Sequence, residues 1–146
     1  MKALVQRVNH AEVVVEGKVV GQIGLGFLIY LGCQIGDGME TAAKMADRLA
    51  KLRIFEDADG RTNLALRAVE GSILLISQFT LAADLRRGNR PSFTTALAPN
   101  EARLLFDEVR NDLMDKGFRV ESGVFGAHME VGSTNVGPAT YLLEIE

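Results

Sequence analysis

Apolar positions along this chain fall into strand-like and helix-like patterns that can be read separately. Ala3 to Val8 and Ala11 to Val15 are rich in valine and bounded by turn formers, which predicts two strands. Glu16-Gly17 separates Val13-Val14-Val15 from Val19-Val20 and predicts a hairpin turn, with Gly17 supplying the positive φ. Gly24 to Cys33 is apolar enough to be a strand buried on both faces. Ala42, Met45, Ala46, Leu49 and Leu52 then recur at helical spacing. Asp37 and Glu40 stand where a capping box would open that helix. A second stripe, Ala102, Leu105, Phe106, Val109 and Leu113, begins near Pro99, a good first-turn residue, and Gly117 is placed to end it. Ser72 to Leu81 reads as a strand. Ala127 to Val131 and Ala139 to Ile145 read as two more, joined by a turn over Gly132 to Pro138.

The resulting order, β-β-β-α-β-α-β-β, predicts an α+β fold with a mostly antiparallel, barrel-like sheet and two main helices. No internal repeat, low-complexity tract or linker interrupts it, so residues 1–146 are read as a single domain. Gly21, Gly24 and Gly26 do not make a dinucleotide fingerprint, because their order is wrong and they open no helix.

Composition narrows the function classes. With 146 residues, 47% of them hydrophobic and 24% charged, the chain has the balance of an ordinary globular protein with one core. No apolar run approaches the ~20 residues that cross a bilayer. The first residues lack the apolar core of a secretion signal. A single cysteine, Cys33, excludes a disulfide framework. A cytoplasmic setting follows as the expectation. A net charge of −3 argues against a broad grip on phosphates. Arg86, Arg87 and Arg90 lie close together in one glycine-containing loop, which reads either as a solvated turn, the reading the acidic balance favours, or as a local contact with nucleic acid.

Candidate chemistry is sparse. His10 and His128 are the only histidines and belong to no metal-binding spacing, so no metal is expected. Asp57 and Asp59 resemble the start of a calcium loop, but the closing glutamate is missing and a turn is the better reading. Ser72, Ser77, Thr80 and Cys33 are possible nucleophiles without a recognisable base. Two segments stand out. Ser77-Gln78-Phe79-Thr80-Leu81 gathers polar groups and N–H donors where an apolar strand stops, a place suited to stabilising an oxyanion or simply to facing water. Asn135-Val136-Gly137-Pro138-Ala139-Thr140 carries a Gly-Pro step that either forms a simple tight turn or holds a cis peptide with two carbonyls fixed on a stiff surface.

Taken in order, SQFTL at 77–81 and NVGPAT at 135–140 resemble the two signature motifs of the D-aminoacyl-tRNA deacylase family. Gln6-Arg7-Val8 with Ala11, Arg53-Ile54-Phe55 with Asp57, Gly60 and Asn63, Arg90-Pro91-Ser92-Phe93, and Phe125-Gly126-Ala127-His128-Met129 are similar to the family pattern in the same order, over nearly the whole chain. The family's second motif usually reads NxGPVT or NxGPFT, so Ala139 departs from it by removing bulk just after the Gly-Pro step.

The resemblance implies a cofactor-free and metal-free cytoplasmic homodimer. Its substrates would be D-aminoacyl-tRNA and also glycyl-tRNA mischarged on the alanine tRNA. The implied Gly137-Pro138 peptide is cis, enters the partner's pocket and presents carbonyls to the substrate's amino group, supported by Arg7. Phe79 and Thr80 would line the scissile ester with Ser77 and Gln78 beside it. Phe125 and Met129 would receive the 3′-terminal adenosine. The chemistry is left open between water assisted by the ribose 2′-hydroxyl and direct attack by Thr80. A relaxed-chirality relative with a trans Gly-Pro bond, a small-molecule ester hydrolase and a non-catalytic tRNA-binding protein remain the competing readings.

Overall fold

The valine-rich N-terminal segment folds as one long strand, where two were expected. In the computed structural model, which describes residues 1–146, β1 runs unbroken from Lys2 to Val15. Asn9 and His10 are exposed in its middle, yet His10 still pairs with Thr134. The ladder to the C-terminal strand bulges at Asn9, and across these two residues the other edge of β1 changes partner, but the strand itself continues. Glu16 and Gly17 both take positive φ (51° and 77°), the hairpin geometry the sequence called for, and return the chain as β2 (Lys18–Ile23). Then β3 (Gly26–Gly32) runs antiparallel to the first half of β1. It is buried on both faces, with Phe27, Ile29 and Leu31 in one core and Leu28 in the other.

Two amphipathic helices cover the first face. α1 (Met39–Lys51) buries Ala42, Met45, Ala46 and Leu49; α2 (Pro99–Asp115) buries Ala102, Leu105, Phe106, Val109 and Leu113. Each fully buried leucine or methionine contributes roughly 1.5–3 kcal/mol. The cap of α1 differs from expectation. Gly38 is the N-cap residue, and its N–H donates to Thr41 Oγ1 at 3.3 Å. Asp37 instead accepts from the Met1 ammonium and from the Gln34 N–H, both at 2.7 Å. A full positive charge outbids the partial charge of a helix end for that carboxylate.

A small hairpin that sequence patterning did not separate, β4 (Arg53–Glu56) and β5 (Thr62–Ala65), follows α1. Its turn is organised by Asp57, whose carboxylate accepts the N–H groups of Asp59 and Arg61 and the Asn63 amide, each at 3.0 Å. These bonds, the Arg61 N–H first among them, hold the Asp57 carboxyl below its usual range.

The sheet is mostly antiparallel, with two parallel pairings that were not foreseen. β6 (Ser72–Ser77) lies parallel to β3, and β7 (Val120–Ser122) parallel to β6. Both arrive by a crossover that contains a helix, as parallel neighbours require. The order is β2-β1-β3-β6-β7. β2 then comes back against β7 so closely that a Cβ on Gly21 would lie 3.0 Å from the Ser122 carbonyl oxygen. The sheet is therefore a nearly closed barrel, filled by Val8, Ala11, Val13, Ile23, Leu28, Leu74 and Ile76.

The C-terminal segment also corrects the sequence reading. β8 (Glu130–Glu144) is one strand, antiparallel to β1, and Gly132 to Pro138 is not a turn between two strands. Glu130 to Asn135 pair with Val14 to Val8, and Thr140 to Glu144 pair with Gln6 to Lys2. Val136 to Ala139 bulge out of the ladder opposite Arg7. Likewise the strand expected over Ser72 to Leu81 stops at Ser77, and the chain turns into a short 3-10 helix over Phe79–Ala82.

Candidate active site

β3, β6 and β7 run in the same direction and end at one side of the barrel, the place where sheets with parallel strands hold ligands. A cavity of about 600 Å³ opens there. Leu31, Cys33 and Ile76 come from the strand ends, and Ala102 and Phe106 from α2. Phe79 and Phe93 form an aromatic pair at its edge, with ring centroids 5.0 Å apart and planes inclined at 60°. Phe125 packs edge-on against Phe106, centroids 6.0 Å apart. The segment Phe125 to Met129 completes the wall.

Backbone bonds fix this frame. Gln78 donates its N–H to the Leu31 carbonyl at 2.8 Å, extending the β3–β6 ladder one residue past the strand. The 3-10 turn can seat there because residue 32 is glycine. A Cβ at that position would stand 2.8 Å from the Gln78 carbonyl oxygen. On the other side Leu97 donates to the Cys33 carbonyl at 3.1 Å and Ile35 to the Thr95 carbonyl at 2.9 Å, pinning the stretch that carries Phe93.

The polar groups are few. The N–H groups of Phe79 and Thr80 belong to the first turn of the 3-10 helix, where no earlier helical carbonyl can accept them, and Gln78 makes no side-chain cap. The Gln78 amide donates instead to the Thr80 hydroxyl. Cys33 is a cavity wall residue whose thiol is pushed up to about 11, chiefly by burial and further by the negative charge of Asp37. Its Sγ lies 3.8 Å from the Ala102 carbonyl as a weak donor. A thiol so protonated at neutral pH is a poor nucleophile. Ser72 sits at the far end of β6 from the cavity.

Arg7, Gly137 and Pro138 form a separate cluster. Arg7 is the one charged residue in the buried set, at 8% exposure. Its Nε donates to the Val136 carbonyl at 3.0 Å and its Nη1 to the Ile54 carbonyl at 2.9 Å, while Glu56 lies 3.7 Å from Nη2. The Gly137-Pro138 peptide is cis. Gly137 has φ +125°, and a Cβ there would stand 2.6 Å from Arg7 Nη2. Asn135 braces the bulge from within: its Oδ1 accepts the Ala139 N–H at 3.0 Å and its amide donates to Thr140 Oγ1 at 2.8 Å. Gly137 and Pro138 themselves are exposed.

Of the residues singled out from the sequence, Ser77, Gln78, Phe79, Phe125 and Met129 meet on the cavity wall. Thr80 is one residue beyond it, tied to Gln78. Arg7, Gly137 and Pro138 do not line the cavity of their own chain. Phe93, Phe106 and His128 line it without having been proposed as site residues. Phe106 was hidden in a helical core stripe. Phe93 had two signals, its place in Arg90-Pro91-Ser92-Phe93 and its position just after an arginine-rich turn. No group of three or more His, Cys, Asp or Glu side chains is arranged to hold a metal ion. No helix is long and apolar enough to cross a membrane.

Residues 4–144 match the model of a family described as D-Tyr-tRNA(Tyr) deacylase. A D-aminoacyl-tRNA deacylase of Lactobacillus acidophilus is 48% identical over 99% of this chain and 100% of its own length. One of Anaeromyxobacter dehalogenans is 51% identical over 99% of this chain and 97% of its own. Among solved structures, one described as "c-Myc DNA Unwinding Element Binding Protein" superposes with a TM-score of 0.94 at 34% identity, covering 100% of this chain and 99% of that one. Another, described as a probable eukaryotic D-amino acid tRNA deacylase, gives 0.84 at 17% identity, covering 99% and 98%, and is similar in fold.

Proposed function

The chain belongs to the D-Tyr-tRNA(Tyr) deacylase family, and from that premise we propose that it hydrolyses the ester joining a D-amino acid to the 3′-terminal ribose of tRNA. The observation that carries the reading is the apolar, aromatic cavity at the ends of the parallel strands, with Ser77, Gln78 and Phe79 on its wall. Phe125 and Met129 offer a flat apolar surface for the terminal adenine. The ester then lies toward Phe79 and Thr80. Water adds to the ester carbonyl, and the N–H groups at the start of the 3-10 helix receive the negative charge on oxygen, each worth about 3–4 kcal/mol. Collapse of the tetrahedral intermediate breaks the bond to the ribose oxygen, which leaves with the proton water gave up, releasing free amino acid and tRNA. The ribose 2′-hydroxyl positions the water, so Thr80 need not act as nucleophile.

Chirality is read by a second copy of the chain. The Gly137-Pro138 bulge stands exposed on β8, which pairs with β1 alone and leaves its other edge free. Val136, Tyr141 and Leu142 are exposed beside it. A free edge flanked by apolar residues favours a two-fold homodimer. In that dimer the bulge of one chain reaches the cavity of its partner and fixes the substrate's amino group with main-chain carbonyls, held from below by Arg7. With amino group and ester both fixed, an L side chain meets backbone, whereas a D side chain or the hydrogen of glycine does not. A cytoplasmic setting goes with this substrate.

The test is hydrolysis of matched D- and L-tyrosyl-tRNA by the purified protein in EDTA, with its mass in solution measured alongside. Loss of the D ester alone, by a dimer, is expected. Loss of both esters would remove the chiral reading, and loss of neither would leave a tRNA-binding protein.

A further inference from the structure

We infer that Arg87 and Arg90 form a phosphate-binding arm for the acceptor end of tRNA, contiguous with the aromatic edge of the cavity. The inference rests on the deacylase reading for the identity of the RNA and goes beyond it in naming where the backbone is held.

The arm is a built loop. Asp84 and Ser92 exchange both backbone hydrogen bonds, Asp84 N–H to the Ser92 carbonyl at 2.8 Å and the reverse at 3.1 Å. Gly88 turns the tip with φ +70°. At its base Asp84 engages Arg86 with both carboxylate oxygens, at 2.9 Å to Nε and 2.7 Å to Nη2, and accepts the Arg86 N–H at 3.0 Å. Arg86 is therefore a strut whose charge is already matched.

Arg87 and Arg90 differ. Both are exposed, and neither takes part in any ion pair, in a chain that carries nineteen acidic residues against sixteen basic ones. Three residues after Arg90 comes Phe93, which pairs with Phe79 at the cavity edge. Two unpaired guanidinium groups thus lead directly into an aromatic wall. That sequence of features, cation followed by π-face, matches a nucleotide chain, whose phosphates meet arginine while its bases stack on aromatic rings. A peptide partner would call for no such alternation. Lys18, Arg48, Arg61 and Arg103 are also exposed and outside every ion pair. Arg87 and Arg90 are the two that stand on the loop leading into the aromatic edge, where attraction to phosphate acts next to the mouth of the site.

The test is the salt dependence of binding of uncharged tRNA, read by fluorescence anisotropy, for the wild type and for the double variant Arg87→Gln/Arg90→Gln. A control, Lys18→Gln/Arg61→Gln, removes the same charge from exposed positions elsewhere. Hydrolysis of D-tyrosyl-tRNA by the wild type is recorded separately. Affinity of the arm variant should fall on the order of tenfold, with the slope of log K against log salt shallower by about 1.5, as expected for two lost phosphate contacts. The control should match the wild type. An arm variant with wild-type affinity and slope, a control that loses as much, or a wild type that does not bind tRNA would each overturn the proposal. A wild type that binds tRNA but hydrolyses no ester would sink the deacylase reading, while the slopes still decide the arm.

Discussion

Arg7 and Gly137 compete for one space. A Cβ on Gly137 would lie 2.6 Å from Arg7 Nη2, while Arg7 Nε donates to the adjacent Val136 carbonyl at 3.0 Å. The buried guanidinium is thus a floor on which the exposed bulge rests, and residue 137 must lack a side chain for the two to meet.

Gly137→Ala meets two obstacles, a φ of +125° that L residues rarely adopt and the contact with Arg7. A destabilisation of roughly 1–3 kcal/mol is expected. Urea denaturation checks the energy, and the ratio of D- to L-tyrosyl-tRNA hydrolysis checks the function. The ratio should fall, because the displaced carbonyls no longer hold the amino group. An unchanged ratio together with unchanged stability would show that the bulge tolerates a side chain.

Arg7→Lys preserves charge and loses geometry. A single ammonium cannot reproduce the directions of Nε and Nη1 toward the Val136 and Ile54 carbonyls. Losing one charge-assisted bond inside the fold costs about 1.5–3 kcal/mol. The variant should unfold at correspondingly lower urea and discriminate less well between D and L esters. Wild-type behaviour on both counts would reduce Arg7 to a packing residue.

The sequence made the helices plain, because Ala42, Met45, Ala46 and Leu49, and Leu105, Phe106 and Val109, repeat at a period that only one local structure satisfies. It misled at Gly132 to Pro138 and at Asn9-His10. There turn-forming residues sit inside strands that carry on past a local bulge, at Asn9 and at Val136 to Ala139, because the pairing of β1 with β8 on either side is made by residues far apart in the chain. The parallel pairing of β6 with β3 left no local trace either. Half of the site, from Ser77 to Phe79 with Phe125 and Met129, could be named from motifs. Phe93 lay in a recognised segment without a role, and Phe106 in a helical stripe, since both reach the cavity only through the packing of α2 and the loop before it.

Thr80→Ala removes a hydroxyl whose recorded partner is the Gln78 amide, a donor and not a base. If water and the ribose 2′-hydroxyl carry the reaction, turnover should drop by less than about tenfold, or roughly 1.4 kcal/mol in the barrier. Single-turnover hydrolysis of D-tyrosyl-tRNA at saturating enzyme separates this from weakened binding. Loss of nearly all turnover with binding intact would make Thr80 the nucleophile.

Cys33 gives a pH dependence with a definite sign. Its thiol is raised from 9.0 to about 11 in the folded chain, chiefly by burial and further by Asp37. Between those values the unfolded chain has lost a proton that the folded chain keeps, so stability is full below pH 9.0 and declines as pH rises toward 11. Tyr30, also raised by burial, acts in the same sense. Urea midpoints measured across this range should fall for the wild type and fall less steeply for Cys33→Ala, which retains only the Tyr30 part. At neutral pH the folded protein should resist iodoacetamide and become alkylated only on unfolding. Rapid alkylation of the native protein would mean that the thiol is neither sheltered nor held protonated.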